Sequence, residues 1–333
     1  MATTASKMSS YVAVYSTIVN ITKCLKTVLP NIQFQEVSPG SGDEDNLLTK
    51  AEIIVADNDL LGMHLYNLPA AKWVQGTWAG VETVLQHYDV SKPKPTFTIT
   101  RFSNYFLGCM MGEYVIASIV NHERNLMPVY ENQQCSLWNR DGKISNHRSI
   151  SDLTIGILGA GTIGTDIAKL LKTLRARVWG LVHTVPKDEK RSPYVDEYRL
   201  NSDLPDLLQN CDYVINVLPS TVDTAGVLNG DMLKHCAKRQ AVFMNIGRGT
   251  VIKEEDLVAA LNKGWLSAAI LDVFETEPLP PSSSLWTMPQ VKITPHVSGC
   301  SRPQDVAMFF KENLVRFQSS QPLECVLDLD KGY

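Results

Sequence analysis

The run from Ser151 to Leu158 reads as a short apolar strand that passes without a break into Gly159-Ala-Gly161-Thr-Ile-Gly164. Behind that turn, Ile167, Leu170, Leu171 and Leu174 recur at helical spacing across Thr165–Leu174. With 20 glycines in 333 residues, chance yields roughly 0.07 such triplets per chain of this length. The strand before and the helix after are what raise the signal. Gly159 permits the tight turn, Gly161 lets backbone approach a pyrophosphate, and Gly164 allows helix and strand to pack closely. The first turn of the helix then offers unpaired N–H groups to phosphates. The expectation is a dinucleotide site; the plainer alternative is a glycine-rich turn whose fold has lost its ligand.

About 20 residues further on, an NAD site places Asp or Glu at the end of the next strand, on the ribose 2′-hydroxyl. That strand is Ala176–Val182, and its end reads Val182-His183-Thr184 with no carboxylate. The following turn, Val185–Arg191, carries Lys187, Lys190 and Arg191. A 2′-phosphate is repelled by a carboxylate and held by hydroxyl, imidazole and ammonium donors. His183 and Thr184 are therefore expected cofactor contacts, and NADP(H) is expected over NAD(H). The alternative is a solvated charged turn and a site indifferent to the phosphate.

The rest of the chain reads as α/β with parallel sheets, short apolar strands alternating with longer helical patterns. Tyr11–Tyr15, Ile32–Val37, Ile53–Ala56, Trp73–Gln75 and Thr96–Thr100 are strand candidates, with Asn20–Val28 helical between the first two. Pro39–Asp45 and Ser91–Pro95 read as loops. From Tyr105 to Val120 the only charge is Glu113, so this helix is expected to be buried all round. It is either a core helix or one shared by two domains or two subunits. Asn121–Trp138 looks like an arm.

Composition excludes several classes. Length suggests about two domains. The balance of 31 Lys plus Arg against 35 Asp plus Glu, without a basic block, gives no footprint for nucleic acid or an anionic membrane. No apolar run reaches the roughly 20 residues of a membrane span, and Met1–Ser10 is polar with no apolar signal region after it. Seven cysteines, scattered from Cys24 to Cys325 with no CxxC or metal-ligand spacing, point to reduced thiols, a cytoplasmic setting and no metal site.

Further motifs follow in order: Cys211–Ser220 ending in Leu-Pro, Ala241–Thr250 with Arg-Gly, Ala268–Pro278 with Leu-Asp-Val-Phe and Glu-Pro, and Val291–His296 with Thr-Pro-His. Together with the glycine turn this set, about 150 residues long, resembles the D-isomer-specific 2-hydroxyacid dehydrogenases. The resemblance implies two doubly wound parallel-sheet domains. A Rossmann cofactor domain (104–297) is inserted into a flavodoxin-like substrate domain (1–103 and 298–333), with the active site in the cleft between them. A dimerisation helix and arm occupy about 104–140, where Met111-Gly-Glu-Tyr114 matches the family's interdomain helix; a homodimer is expected.

By matched motif, Arg248, Glu277 and His296 are the implied catalytic set, and the chemistry needs those types. A planar guanidinium holds a carboxylate and a carbonyl oxygen together. Imidazole titrates near the operating pH and serves as acid and base, while a neighbouring carboxylate favours the imidazolium and fixes its tautomer. The resemblance also makes Thr162 and Ile163 pyrophosphate contacts, Leu218, Pro219 and Thr224 neighbours of adenosine and ribose, and Ile246 and Asp272 nicotinamide contacts. Gln75–Glu82 resembles the loop whose backbone N–H groups, here Ala79 and Gly80, hold the substrate carboxylate. Glu82 stands where the family usually has Asp. Trp78 either walls the substrate pocket or anchors the loop.

The missing acid and the Trp-Ala-Gly-Val loop look most like the glyoxylate/hydroxypyruvate reductase branch, with glyoxylate, hydroxypyruvate or pyruvate as the 2-keto acid and the D-2-hydroxy acid as product. Glu277 stands where formate dehydrogenases carry Gln, which disfavours that relative. The rival from another class is a dinucleotide-sensing, protein-binding module of corepressor type.

Overall fold

The computed structural model describes residues 11–333, so the polar stretch Met1–Ser10 lies outside the described residues. From Val12 the chain alternates β1 (Val12–Tyr15), α1 (Ile21–Val28), β2 (Phe34–Glu36), α2 (Glu44–Leu48), β3 (Ile53–Ala56), α3 (Asn58–His64), β4 (Trp73–Gly76), α4 (Glu82–Gln86) and β5 (Thr98–Thr100). The five strands pair in parallel in the order β2-β1-β3-β4-β5. Every residue of β1, β3 and β4 is buried, the pattern of a parallel sheet covered on both faces. This is the flavodoxin-like order, with its switch point between β1 and β3.

The second sheet follows α5 (Tyr105–Arg124) and α6 (Leu126–Gln134). Its elements are β6 (Thr154–Leu158), α7 (Thr162–Thr173), β7 (Arg177–Val182), β8 (Glu197–Leu200), α8 (Leu204–Asn210), β9 (Tyr213–Asn216), β10 (Ala241–Asn245), α9 (Glu254–Asn262), β11 (Leu266–Leu271) and β12 (Val291–Ile293). All seven strands are parallel in the order β12-β11-β10-β9-β6-β7-β8. The strand order reverses between β6 and β9, and in such sheets the ligand crevice lies beyond the carboxyl ends at that point.

The chain then returns as α10 (Pro303–Gln318). Contacts divide it into two compact units, one of residues up to Asn104 together with Cys300–Tyr333, the other of Tyr105–Gly299. In the first unit Trp73 stacks on Phe310 of α10 at 5.0 Å and on Phe317 at 5.5 Å, and its indole N–H donates to Thr100 Oγ1 at 2.9 Å. The returning helix is thereby built into the first sheet's core. Among the described residues no helix is long and apolar enough to cross a membrane.

Several sequence expectations are adjusted. The strand expected over 32–37 contracts to β2, and the one over 96–100 to β5. The loop expected over 39–45 is already turning into α2 at Glu44. Helix α5 is not buried all round within one chain. Leu107, Gly108, Met111, Gly112, Val115, Ile119 and Glu123 are buried along one face, whereas Tyr105, Cys109, Glu113 and Ala117 are exposed. The buried face lies close on α7, where a Cβ added to Gly112 would come 2.4 Å from Leu170 Cδ1. Apolar residues on every side of a helix leave no stripe to tell which face meets the core. Helix α6, within the segment read as an arm, has no buried residue.

Candidate active site

The glycine turn of the second unit is built as its spacing requires. Gly159 takes φ +99°, and a Cβ on Gly164 would lie 2.2 Å from the Gly159 carbonyl oxygen, so only glycine lets α7 start this close to β6. Gly161 is different, because a Cβ there meets nothing within 4 Å. No packing among the described residues demands glycine at that position; backbone access for a ligand would. Gly161 is also the N-cap of α7 and no side chain caps the helix, which leaves the Thr162 and Ile163 end of α7 open to an anion. These residues fit a dinucleotide pyrophosphate.

Strand β7 ends at Val182, and the exposed His183 and Thr184 follow, His183 Nδ1 lying 3.3 Å from Thr184 Oγ1. Lys187 and Lys190 are exposed, while Arg191 is drawn to Asp188 at 3.4 Å and donates to the Pro186 carbonyl at 3.3 Å. The sequence-expected strand end thus lacks a carboxylate in the folded chain as well.

At the ends of β9 and β10 two buried asparagines, Asn216 and Asn245, act as a brace that the motif reading did not single out. Asn216 Nδ2 donates to Asn245 Oδ1 at 2.8 Å, Asn216 Oδ1 accepts from Leu218 N at 3.2 Å, and Asn245 Nδ2 donates to the Arg248 carbonyl at 3.1 Å. One pair of amides therefore sets the backbone entering both the Leu218-Pro219 loop and the Arg248 turn. Ile246 is buried and its N–H donates to the Asn216 carbonyl at 3.2 Å. Thr224 Oγ1 donates to the Pro219 carbonyl at 2.6 Å and accepts from Thr221 N at 2.9 Å, closing that loop on itself. The half-buried Arg248 donates from Nη1 to the Gly247 carbonyl at 2.8 Å.

Two of the three expected catalytic residues are directly paired. His296 Nδ1 lies 2.7 Å from Glu277 Oε2, and Glu277 Oε1 accepts from Phe274 N at 2.9 Å. The imidazole is 53% exposed, so one edge is held while the rest stays reachable. A carboxylate only accepts, so the bonded Nδ1 carries a proton and Nε2 is the nitrogen left for a substrate. Asp272 is fully buried. Its Oδ1 accepts from Thr294 Oγ1 at 2.5 Å and Val297 N at 2.9 Å, and its Oδ2 from Ser298 N at 2.9 Å.

In the first unit Trp78, Ala79 and Gly80 follow β4 and are half-buried. Asn58 Nδ2, at the start of α3, donates to the Trp78 carbonyl at 3.2 Å and also to the Gly80 carbonyl. Arg101 Nη1 donates to the Ala79 carbonyl at 3.4 Å, and Phe102 N to that of Trp78 at 3.0 Å. With these three carbonyls engaged, the N–H groups of Ala79 and Gly80 donate to no described residue. The loop's base is fixed by the buried Asp57, which accepts from Ser16 Oγ, Thr17 N, Thr17 Oγ1 and Thr77 Oγ1 at 2.6–2.8 Å.

The family described as D-isomer specific 2-hydroxyacid dehydrogenase, NAD binding domain, matches residues 116–298, more than half of the chain. Glyoxylate/hydroxypyruvate reductase A of Klebsiella pneumoniae is 32% identical over 270 residues, 79% of this chain and 82% of that protein. The fold is also close to that of a D-isomer specific 2-hydroxyacid dehydrogenase from Xanthobacter autotrophicus Py2, solved with NADPH and MES. The TM-score is 0.82 and the identity 27%, over 98% of this chain and 100% of that one. An NADPH-dependent glyoxylate/hydroxypyruvate reductase from Sinorhizobium meliloti, solved with NADP and sulfate, gives a TM-score of 0.80 at 27% identity over 97% of this chain and 100% of that one. From the uncapped glycine turn, the paired Glu277 and His296 and these matches, it follows that the chain belongs to the D-isomer-specific 2-hydroxyacid dehydrogenases, oxidoreductases with a nicotinamide dinucleotide cofactor.

Proposed function

We propose that this protein reduces a small 2-keto acid (glyoxylate, hydroxypyruvate or pyruvate) to the D-2-hydroxy acid, using NADPH in preference to NADH. The observation that carries the reading is the 2.7 Å contact between His296 Nδ1 and Glu277 Oε2. It orients an imidazole whose other nitrogen is available for proton transfer.

When bound, the nicotinamide supplies the hydride. Arg248 holds the substrate carboxylate and polarises the carbonyl oxygen through its planar fork. His296 Nε2 gives the proton that the nascent alkoxide needs, and Glu277 stabilises the imidazolium before that transfer. Ala79 and Gly80 offer backbone N–H groups to the carboxylate, and Trp78 borders it. Asp272 Oδ2 would accept from the carboxamide, and Ile246 would contact the nicotinamide. Thr162, Ile163 and the glycine turn would hold the pyrophosphate, Leu218, Pro219 and Thr224 the adenosine and its ribose, and His183 and Thr184 the 2′-phosphate. The NADPH preference is supported by the absent acid at Val182 and by relatives solved with NADP. A homodimer formed through α5 and α6, in a cytoplasmic setting, completes the reading; the exposed Leu126, Met127 and Tyr130 on α6 support it.

The deciding experiment measures initial rates of glyoxylate, hydroxypyruvate and pyruvate reduction with NADPH and NADH on purified protein. Turnover favouring NADPH is expected. Faster turnover with NADH overturns the cofactor preference. Tight NADPH binding without reduction of any of the three acids overturns the catalytic reading in favour of a dinucleotide-sensing module.

A further inference from the structure

We infer that Tyr114, on α5, is a positioning residue for His296 and acts through Thr294 and Asp272. The inference rests on the proposed acid–base role of His296 and adds to it what holds that side chain in place.

His296 takes φ +54°, a left-handed backbone that a residue with a Cβ keeps only when its surroundings impose it. The restraint comes from Asp272 on both sides of the histidine. The Asp272 carbonyl accepts from His296 N at 2.8 Å, and its carboxylate accepts from Val297 N and Ser298 N, each at 2.9 Å. Asp272 is fully buried, and no cation pairs with it among the described residues. A buried carboxylate without a counter-ion depends wholly on its hydrogen-bond donors. The shortest of these bonds comes from Thr294 Oγ1, at 2.5 Å.

Donor counting extends the chain by one residue. Tyr114 Oη and Thr294 Oγ1 lie 2.8 Å apart. A threonine hydroxyl has one hydrogen, and that of Thr294 is committed to Asp272. Tyr114 must therefore be the donor, which gives a one-way series from Tyr114 to Thr294 to the Asp272 carboxylate, each bond polarising the next. Burial raises the Tyr114 pKa and the charge of Asp272 adds to this; the phenol stays protonated in the working range. The segment after Ser298 also lies against α5, since a Cβ on Gly299 would come 2.9 Å from Leu107 and 3.0 Å from Met111. Helix α5 thus meets the histidine turn by packing on one side and by the tyrosine hydroxyl on the other. Glu277 and the Asp272 network are the ionisable groups that contact the His296 residue directly.

The test uses Tyr114→Phe, Thr294→Val and Thr294→Ser in the full chain. Two readouts are followed: the pH profile of kcat for keto acid reduction, and the NMR titration of the His296 imidazole, assigned by its absence in His296→Ala. Tyr114→Phe and Thr294→Val should each lower kcat roughly tenfold and should displace the His296 titration. Thr294→Ser should restore both. Wild-type titration and kcat in Tyr114→Phe and Thr294→Val overturn the inference. A uniform loss in all three variants with an unmoved His296 titration also overturns it, by assigning the network to folding alone. A wild-type chain that reduces none of the acids fails the proposed function, and the NMR arm then still decides whether Tyr114 sets His296.

Discussion

Glu277 and His296 stand 19 residues apart in the chain, yet Glu277 Oε2 meets His296 Nδ1 at 2.7 Å, and Glu277 Oε1 is anchored by Phe274 N at 2.9 Å. The acid is thus fixed from behind before it fixes the imidazole. His296→Ala should lower turnover by roughly 10²–10⁴ while leaving NADPH affinity intact. Glu277→Gln retains an acceptor oxygen for Nδ1–H but removes the charge, so it should lower kcat less than His296→Ala and move the alkaline fall in the rate of keto acid reduction to lower pH. Unchanged turnover in His296→Ala removes the histidine from the reaction.

Arg248 enters its turn from Gly247, with its carbonyl held by Asn245 at 3.1 Å. Arg248→Gln should raise the KM for the keto acid and lower kcat together, costing roughly 10²-fold in kcat/KM, or about 2.7 kcal/mol. Steady-state kinetics with each substrate varied in turn checks this. An effect confined to NADPH affinity would reassign the guanidinium to the cofactor.

Val182 closes β7, ahead of His183 and Thr184. Val182→Asp supplies the missing ribose acceptor and repels a 2′-phosphate. The ratio of kcat/KM for NADPH over NADH should fall roughly tenfold, equivalent to about 1.4 kcal/mol. If the ratio does not move, the 2′ position is read elsewhere in the chain.

Asn58 is the clearest example of a residue whose role no sequence pattern announced. Its side chain holds the carbonyls of Trp78 and Gly80, 20 and 22 residues away. Asn58→Ala should raise the KM for the keto acid several-fold with the KM for NADPH unchanged, since about 1–3 kcal/mol accompanies the loss of a buried donor to two carbonyls. An equal rise in both KM values would show a general loosening of the fold instead.

What was legible and what was not divides along physical lines. The turn from β6 into α7 and the end of β7 at Val182 are local, dictated by glycine sterics and by a run of apolar residues, and the sequence carries them openly. The Glu277 and His296 pairing was reachable only through matched motifs, because the contact is tertiary. Asn58, Asn216, Asn245 and the Asp57 cluster are single polar residues that act across strand ends. No periodicity marks them, and their meaning exists only once the parallel strands set those ends side by side. Which face of α5 meets the core of its own chain is not legible, because an almost uniformly apolar helix offers no stripe to orient it.

Acid stability tests the ionic cluster where α5 ends. His122 is held neutral, its pKa lowered from 6.5 to about 4, chiefly by burial and then by the charges of Lys143, Lys292 and Arg148, with Glu123 opposing. Burial pushes Glu123 the other way, but two bonds from Arg148, at 2.6 and 3.1 Å, and one from the Tyr213 hydroxyl at 2.8 Å outweigh it and hold its pKa below 4.5. Both folded values lie below the unfolded ones, so the unfolded chain binds more protons and stability is lost as the pH drops. The His122 share is complete above pH 6.5 and is lost as the pH drops toward 4, at no more than about 1.4 kcal/mol per pH unit; the Glu123 share is lost below pH 4.5. His122→Gln should therefore flatten the fall in thermal midpoint between pH 6.5 and 4.5 and leave the steeper loss below it. Parallel curves for wild type and His122→Gln across that window would show that His122 titrates alike in the folded and unfolded chains.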